Sequence, residues 1–84
     1  MREPAVDERA EALLEERRFC EWLDATAALA SGWPHSPVSA RWWLLQECEV
    51  ERVRDIAQDP AAAAAFEEIS RRYVLWDQNG ELEV

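Results

Sequence analysis

Lysine is missing altogether, glycine occurs at two positions, cysteine at two and histidine at one in the 84 residues. Each scarcity removes a class of function. Two cysteines inside helix-like stretches, Cys20 and Cys48, form no spaced framework for disulfides or zinc, so a reduced cytoplasmic setting is expected. One histidine, His35, leaves no His-rich metal set, and no Gly-rich phosphate loop or Gly-x-Ser-x-Gly turn is present. No apolar run approaches the length of a membrane span, and the charged start MREPAVDERAE does not read as a signal peptide.

Acid is what the chain has in excess. Eighteen Asp and Glu face nine arginines, a net charge of −9, which argues against binding nucleic acid by phosphate neutralisation and against anionic membranes. The same charge suits a basic protein partner, or a surface that imitates a nucleic-acid backbone, and it also serves plain solubility. Five tryptophans in so short a chain supply large apolar area. Trp22, Trp42 and Trp76 fit a core, and at least one of the five is spare for an interface.

The length allows one helical domain over residues 1–84 with a thin core. With few breakers and abundant Ala, Leu, Glu and Arg, the expected fold is all-α: a small bundle of three to four helices with a short extended C-terminal tail. The first helical stretch runs from about Pro4 to Ala30. Its apolar face moves from Val6, Ala10, Leu13 and Leu14 to Phe19, Leu23, Thr26 and Ala30, so the helix bends near Arg17 and Arg18 or its halves meet different neighbours. Gly32 and Pro34 close it. Ser36-Pro37 reads as an N-cap and first-turn proline, opening a helix to about Ala57 whose buried stripe is Val38, Trp42, Leu45, Val53 and Ile56, widened by Leu44, Cys48 and Val50. Trp43 lies off that stripe and is expected to be exposed, whereas Glu49 falls within it and needs an Arg or the solvent end.

Asp59-Pro60 repeats the capping pattern before a last helix to about Tyr73 or Trp76, with Ala62, Ala65, Phe66, Ile69 and Tyr73 facing inward. The Ala61–Ala65 run permits close helix approach. Beyond it, either a hairpin about Asn79-Gly80 or, preferably, a turn and extended tail follows.

Candidates for chemistry are sparse. His35 can act as a base for Ser36 or Ser39, or simply be a lone loop histidine. Glu47 and Glu51 have an i, i+4 spacing compatible with a hard cation, or with a solvated helix face. Cys20 and Cys48 can meet as a redox pair if their helices pack antiparallel, or stay buried and inert. No catalytic, cofactor-binding or metal residue is assigned, and no cofactor is expected.

Leu13-Leu14-Glu15-Glu16-Arg17-Arg18-Phe19-Cys20-Glu21-Trp22-Leu23, then a proline loop, then Ala40-Arg41-Trp42-Trp43-Leu44-Leu45, resembles the helical hairpin of tetratricopeptide-like repeats over residues 13–57. The resemblance implies a peptide- or protein-binding scaffold and brings no catalytic residue with it. The function expected is a non-enzymatic acidic interaction module, an adaptor, small chaperone or regulatory subunit. It would act as a homo-oligomer or in a hetero-complex with a protein partner, for which the charge suits a basic one, away from membrane and nucleic acid. Trp33, Trp43 and Trp76 are its candidate partner-binding anchors. The alternative is an acidic inhibitor that mimics nucleic acid and blocks a basic groove.

Overall fold

A computed structural model describes residues 5–79. Capping chemistry sets most of the helix boundaries. Helix α1 (Val6–Leu14) starts where the Glu8 carboxylate accepts the Ala5 N–H at 3.1 Å, and Asp7 and Glu8 place negative charge at its positive end. The chain then breaks at Glu15 and Glu16 before α2 (Arg17–Thr26), so the moving apolar face becomes two helices where one was expected. No Gly or Pro causes the break. Helix α1 packs chiefly on a 3₁₀ helix (Val53–Gln58), while α2 packs on α3 (Pro37–Cys48) and α4 (Pro60–Asn79). Extended backbone at Glu16 turns the chain between these two sets of neighbours, and the Tyr73 hydroxyl donates to Glu16 at 2.8 Å, tying the break to α4.

Helix α2 ends at Thr26, earlier than the expected Ala30, and Gly32 at φ +85° sits in a turn of the following loop and does not cap the helix. Ser36 and Pro37 open α3 as expected: the Ser36 hydroxyl accepts the Ser39 N–H at 3.3 Å. The helix stops at Cys48, well short of Ala57. There Glu49 adopts a left-handed conformation (φ 57°) and the Val50 N–H donates back to the Leu45 carbonyl at 3.1 Å. This is the hydrogen-bond pattern of a Schellman stop with Glu where Gly is usual. Val53 and Ile56 are buried as expected, but from the 3₁₀ helix, whose three residues per turn put positions three apart on one side.

Asp59 accepts the N–H groups of Ala61 and Ala62 and Pro60 opens α4, again as expected. Its inward line is Ala62, Phe66, Ile69 and Tyr73. The helix continues through Trp76 to Asn79, so a hairpin strand at 73–76 is not formed. The extended tail expected after Gly80 lies outside the described residues. Those residues are 76% helical with no strand, an all-α bundle of four helices. The core is centred on Leu14, Phe19, Leu23, Leu44, Ile56 and Phe66, all essentially inaccessible. No described helix is long and apolar enough to cross a membrane.

Candidate interaction surface

The rotational setting of α3 decides which tryptophans face out. Ala40, Leu44 and Cys48, four residues apart, form its buried line. Val38 and Trp42 are offset from that line by two residues, roughly 200° around the helix, and they are 79% and 60% exposed. The expected stripe of Val38, Trp42 and Leu45 is therefore turned outward, with Leu45 half-buried at its edge.

Trp43, expected to be exposed, points inward toward α2. Its ring meets Trp22 edge-on at 6.0 Å and Phe19 at 6.3 Å. These belong to a continuous aromatic cluster in which Phe19 also contacts Tyr73 at 5.5 Å and Tyr73 stacks on Trp76 at 6.5 Å. Such edge-to-face and offset pairs hold more than their buried area alone. Trp76 is half-buried with the Arg18 guanidinium 4.6 Å above its ring, and Arg18 is itself held by Asp77 and Glu21. Of the three expected anchors, Trp33 alone stands fully out, at 74% exposed, while Trp42 joins it from the residues assigned to the core.

His35 is buried and fixes the loop that carries Trp33. Its backbone N–H donates to the Asp24 carboxylate at 2.7 Å, its ring Nε2 lies 2.8 Å from the Ala27 carbonyl and its Nδ1 lies 3.0 Å from the Ser39 hydroxyl. A carbonyl only accepts, so Nε2 carries the proton toward Ala27. In the neutral ring Nδ1 then accepts from Ser39. Thus the structure brings His35 to Ser39, one of the two serines proposed for it, and leaves Ser36 in the cap. The Ser39 hydroxyl also accepts the Ser36 N–H at 2.9 Å and lies 3.2 Å from the Ser36 carbonyl. These bonds join the end of α2 to the start of α3, so the set serves as a loop latch.

Burial disfavours the thiolate at both cysteines. Burial, reinforced by Asp24 and Glu21, raises the Cys20 value above its usual range, and burial with Glu47 pushes Cys48 up to about 11. Both are free and buried. Glu47 and Glu51 do not share a helix face, since α3 ends between them, and no group of three potential metal ligands occurs among the described residues.

Two adjoining cavities flank the start of α3. One, about 250 Å³, is lined by Leu14, Glu15, Pro37, Val38 and Arg41. The other, about 230 Å³, shares Glu15 and Pro37 and adds Glu16, Arg17, Cys20 and His35. Arg41 is gripped in bidentate fashion by Glu11, at 2.6 and 3.0 Å, which holds the Glu11 carboxyl below its ordinary value. Among the described residues Glu15, Glu47, Glu49 and Glu51 form no salt bridge. The last three surround the α3 terminus, where the last turn contains no basic residue and the helix dipole is negative.

No protein-family model, curated protein or solved structure matches the chain.

Proposed function

We propose that the chain is a non-enzymatic protein-interaction module whose contact face is the outer side of α3 with the Trp33 loop, and whose partner is basic. The carrying observation is the exposed pair Val38 and Trp42, one turn apart, with Val38 lining the cavity at Leu14 and Pro37. An isolated exposed apolar residue is ordinary, but adjacent large ones around a concavity are what binding surfaces present. Carboxylates without a salt bridge among the described residues lie near the start of α3, at Glu15, and around its end, at Glu47, Glu49 and Glu51, and with the net charge of −9 they favour a cationic partner. The likeness of residues 13–57 to a tetratricopeptide-like hairpin points toward the same kind of scaffold. A reducing compartment such as the cytoplasm suits the free thiols of Cys20 and Cys48. A nucleic-acid mimic would need its carboxylates free and aligned. Here Glu11, Glu21, Asp55, Glu67, Glu68 and Asp77 are each engaged by arginine, so that reading has less support.

Affinity capture from native lysate with the full chain and its Trp42→Ala variant as parallel baits tests the proposal. The wild type should retain a basic protein that Trp42→Ala binds more weakly by at least about 2 kcal/mol, with the variant's circular dichroism unchanged. Equal retention by both baits would overturn the assignment of the face.

A further inference from the structure

We infer that two copies of the chain exchange α1: α1 and α2 join into one helix, and the site that α1 leaves is filled by α1 of the other copy. The joint is a single torsion. Glu15 already has helical backbone (φ −90°, ψ −4°), and Glu16 has a near-helical φ of −85° with ψ extended at 125°. Turning ψ of Glu16 to about −42° makes an unbroken helix from Val6 to Thr26, about 31 Å long, with no Gly or Pro in its path. Local chemistry favours that helix. Unlike α3 and α4, α2 begins with no side-chain cap, so its first N–H groups lack the carbonyls of α1 that a continuous helix would offer. Arg17 and Arg18 stand at the positive end of α2 and Glu15 at the negative end of α1, each opposing the dipole it meets.

Tertiary contacts hold the break instead. Ala10 and Leu13 are buried in an α1 that lies chiefly on the 3₁₀ helix, Arg41 grips Glu11, and Tyr73 donates to Glu16. A straight helix carries α1 off the 3₁₀ helix, since α2 packs on α3 and α4. The emptied site fits the segment it holds within one chain, so its occupant is the same segment from a second copy. The exchange restores the burial of Ala10 and Leu13 and the Arg41–Glu11 pair between copies, and the new interface is therefore charge-matched although each chain carries −9. Only the Tyr73–Glu16 bond, at the joint itself, belongs to the closed chain alone. The inference uses neither Val38 nor Trp42 and stands apart from the partner proposed for α3.

The test is refolding of the full chain from urea at high micromolar concentration, followed by size-exclusion chromatography with light scattering, each variant being checked for native circular dichroism. The wild type should yield dimer beside monomer. Glu16→Ala, which removes the Tyr73 tie and improves helix propensity at the joint, should raise the dimerisation constant at least about 10-fold. Arg17→Pro suits the broken form, because it falls at the first position of α2 after an extended residue, and it forbids the joined helix, so it should lower that constant by more than about 100-fold. A dimer that persists in Arg17→Pro, or a Glu16→Ala protein that stays monomeric, would overturn the exchange. A second measurement does not depend on the proline variant. When Glu11→Arg and Arg41→Glu are unfolded and refolded together, each α1 meets a like charge on its own chain and an opposite charge on the other. Heterodimer should then exceed its statistical share by about 5-fold, and purely statistical mixing, or no dimer at all, would contradict the inference.

Discussion

Trp42 and Trp43 are neighbours in the chain and belong to different regions of the molecule. Trp43 completes an inward cluster with Phe19, Trp22, Tyr73 and Trp76, in which rings from α2, α3 and α4 meet edge-on or stacked. Its polar edge is closed by Tyr73 donating to Glu16 and Arg18 lying over Trp76. Trp42 stands with Val38 on the side of α3 away from the buried line of Ala40, Leu44 and Cys48, and among the described residues it pairs with no other ring and lies under no stacked cation. One region has its aromatics matched by partners from within the chain. The other has none among the described residues, so the same residue type is packed within the fold on one side of α3 and open to solvent on the other.

The strongest way to break this contrast is at the centre of the inward cluster. Phe19 is fully buried and touches Trp22, Trp43 and Tyr73, so Phe19→Ala should cost about 3–5 kcal/mol. A domain of this size has a total stability of roughly 4–13 kcal/mol. Thermal or urea unfolding followed by circular dichroism should show the variant near or past the edge of stability. A loss under about 1 kcal/mol would mean the cluster is not what holds α2 to α4.

A smaller effect comes from the rim, where Arg9–Glu67 joins α1 to α4 and Arg41–Glu11 joins α3 to α1. Hydrogen bonds from Arg41 and Arg9 hold Glu11 and Glu67 below their ordinary value of 4.5. A carboxylate depressed in the folded state adds stability that is fully present above the unfolded value and disappears as pH falls through the folded one. Urea midpoints should therefore stay flat from neutrality to about pH 5.5 and fall below about 4.5. A Glu11→Gln, Glu67→Gln variant should show a shallower fall. Since both pairs are well exposed, the difference should be at most about 1 kcal/mol for each. An identical acid profile for the variant and the wild type would show that the pairs are idle.

The features legible in the sequence are those settled by local chemistry. Ser36-Pro37 and Asp59-Pro60 each start a helix because a side-chain oxygen and a pre-set proline φ act within four residues. The inward line of α4 was readable because Ala62, Phe66, Ile69 and Tyr73 are opposed by Glu67, Arg71, Arg72 and other polar residues. Helix α3 lacks such opposition: Val38, Ala40, Trp42, Trp43, Leu44, Leu45 and Cys48 point in nearly every direction, so its apolar pattern has no single phase and its neighbours choose one. That is why Trp42 and Trp43 exchange the places expected of them. The break at Glu15 and Glu16 showed itself as a shift of the apolar face without a breaker to locate it. The stop at Glu49 has Glu in a conformation where glycine is the usual signal. The His35 latch depends on Asp24 and Ala27, which only the return of the loop onto α2 brings within reach.

The phase of α3 is the central claim, and unfolding free energies of Trp42→Ala and Trp43→Ala measured side by side test it most directly. With Trp43 in the aromatic cluster and Trp42 outside, Trp43→Ala should lose at least about 2 kcal/mol and Trp42→Ala should stay within about 0.5 kcal/mol of the wild type. A stable Trp43→Ala beside an unfolded Trp42→Ala would contradict the account, turning α3 by about a third of a turn and withdrawing the contact face with it.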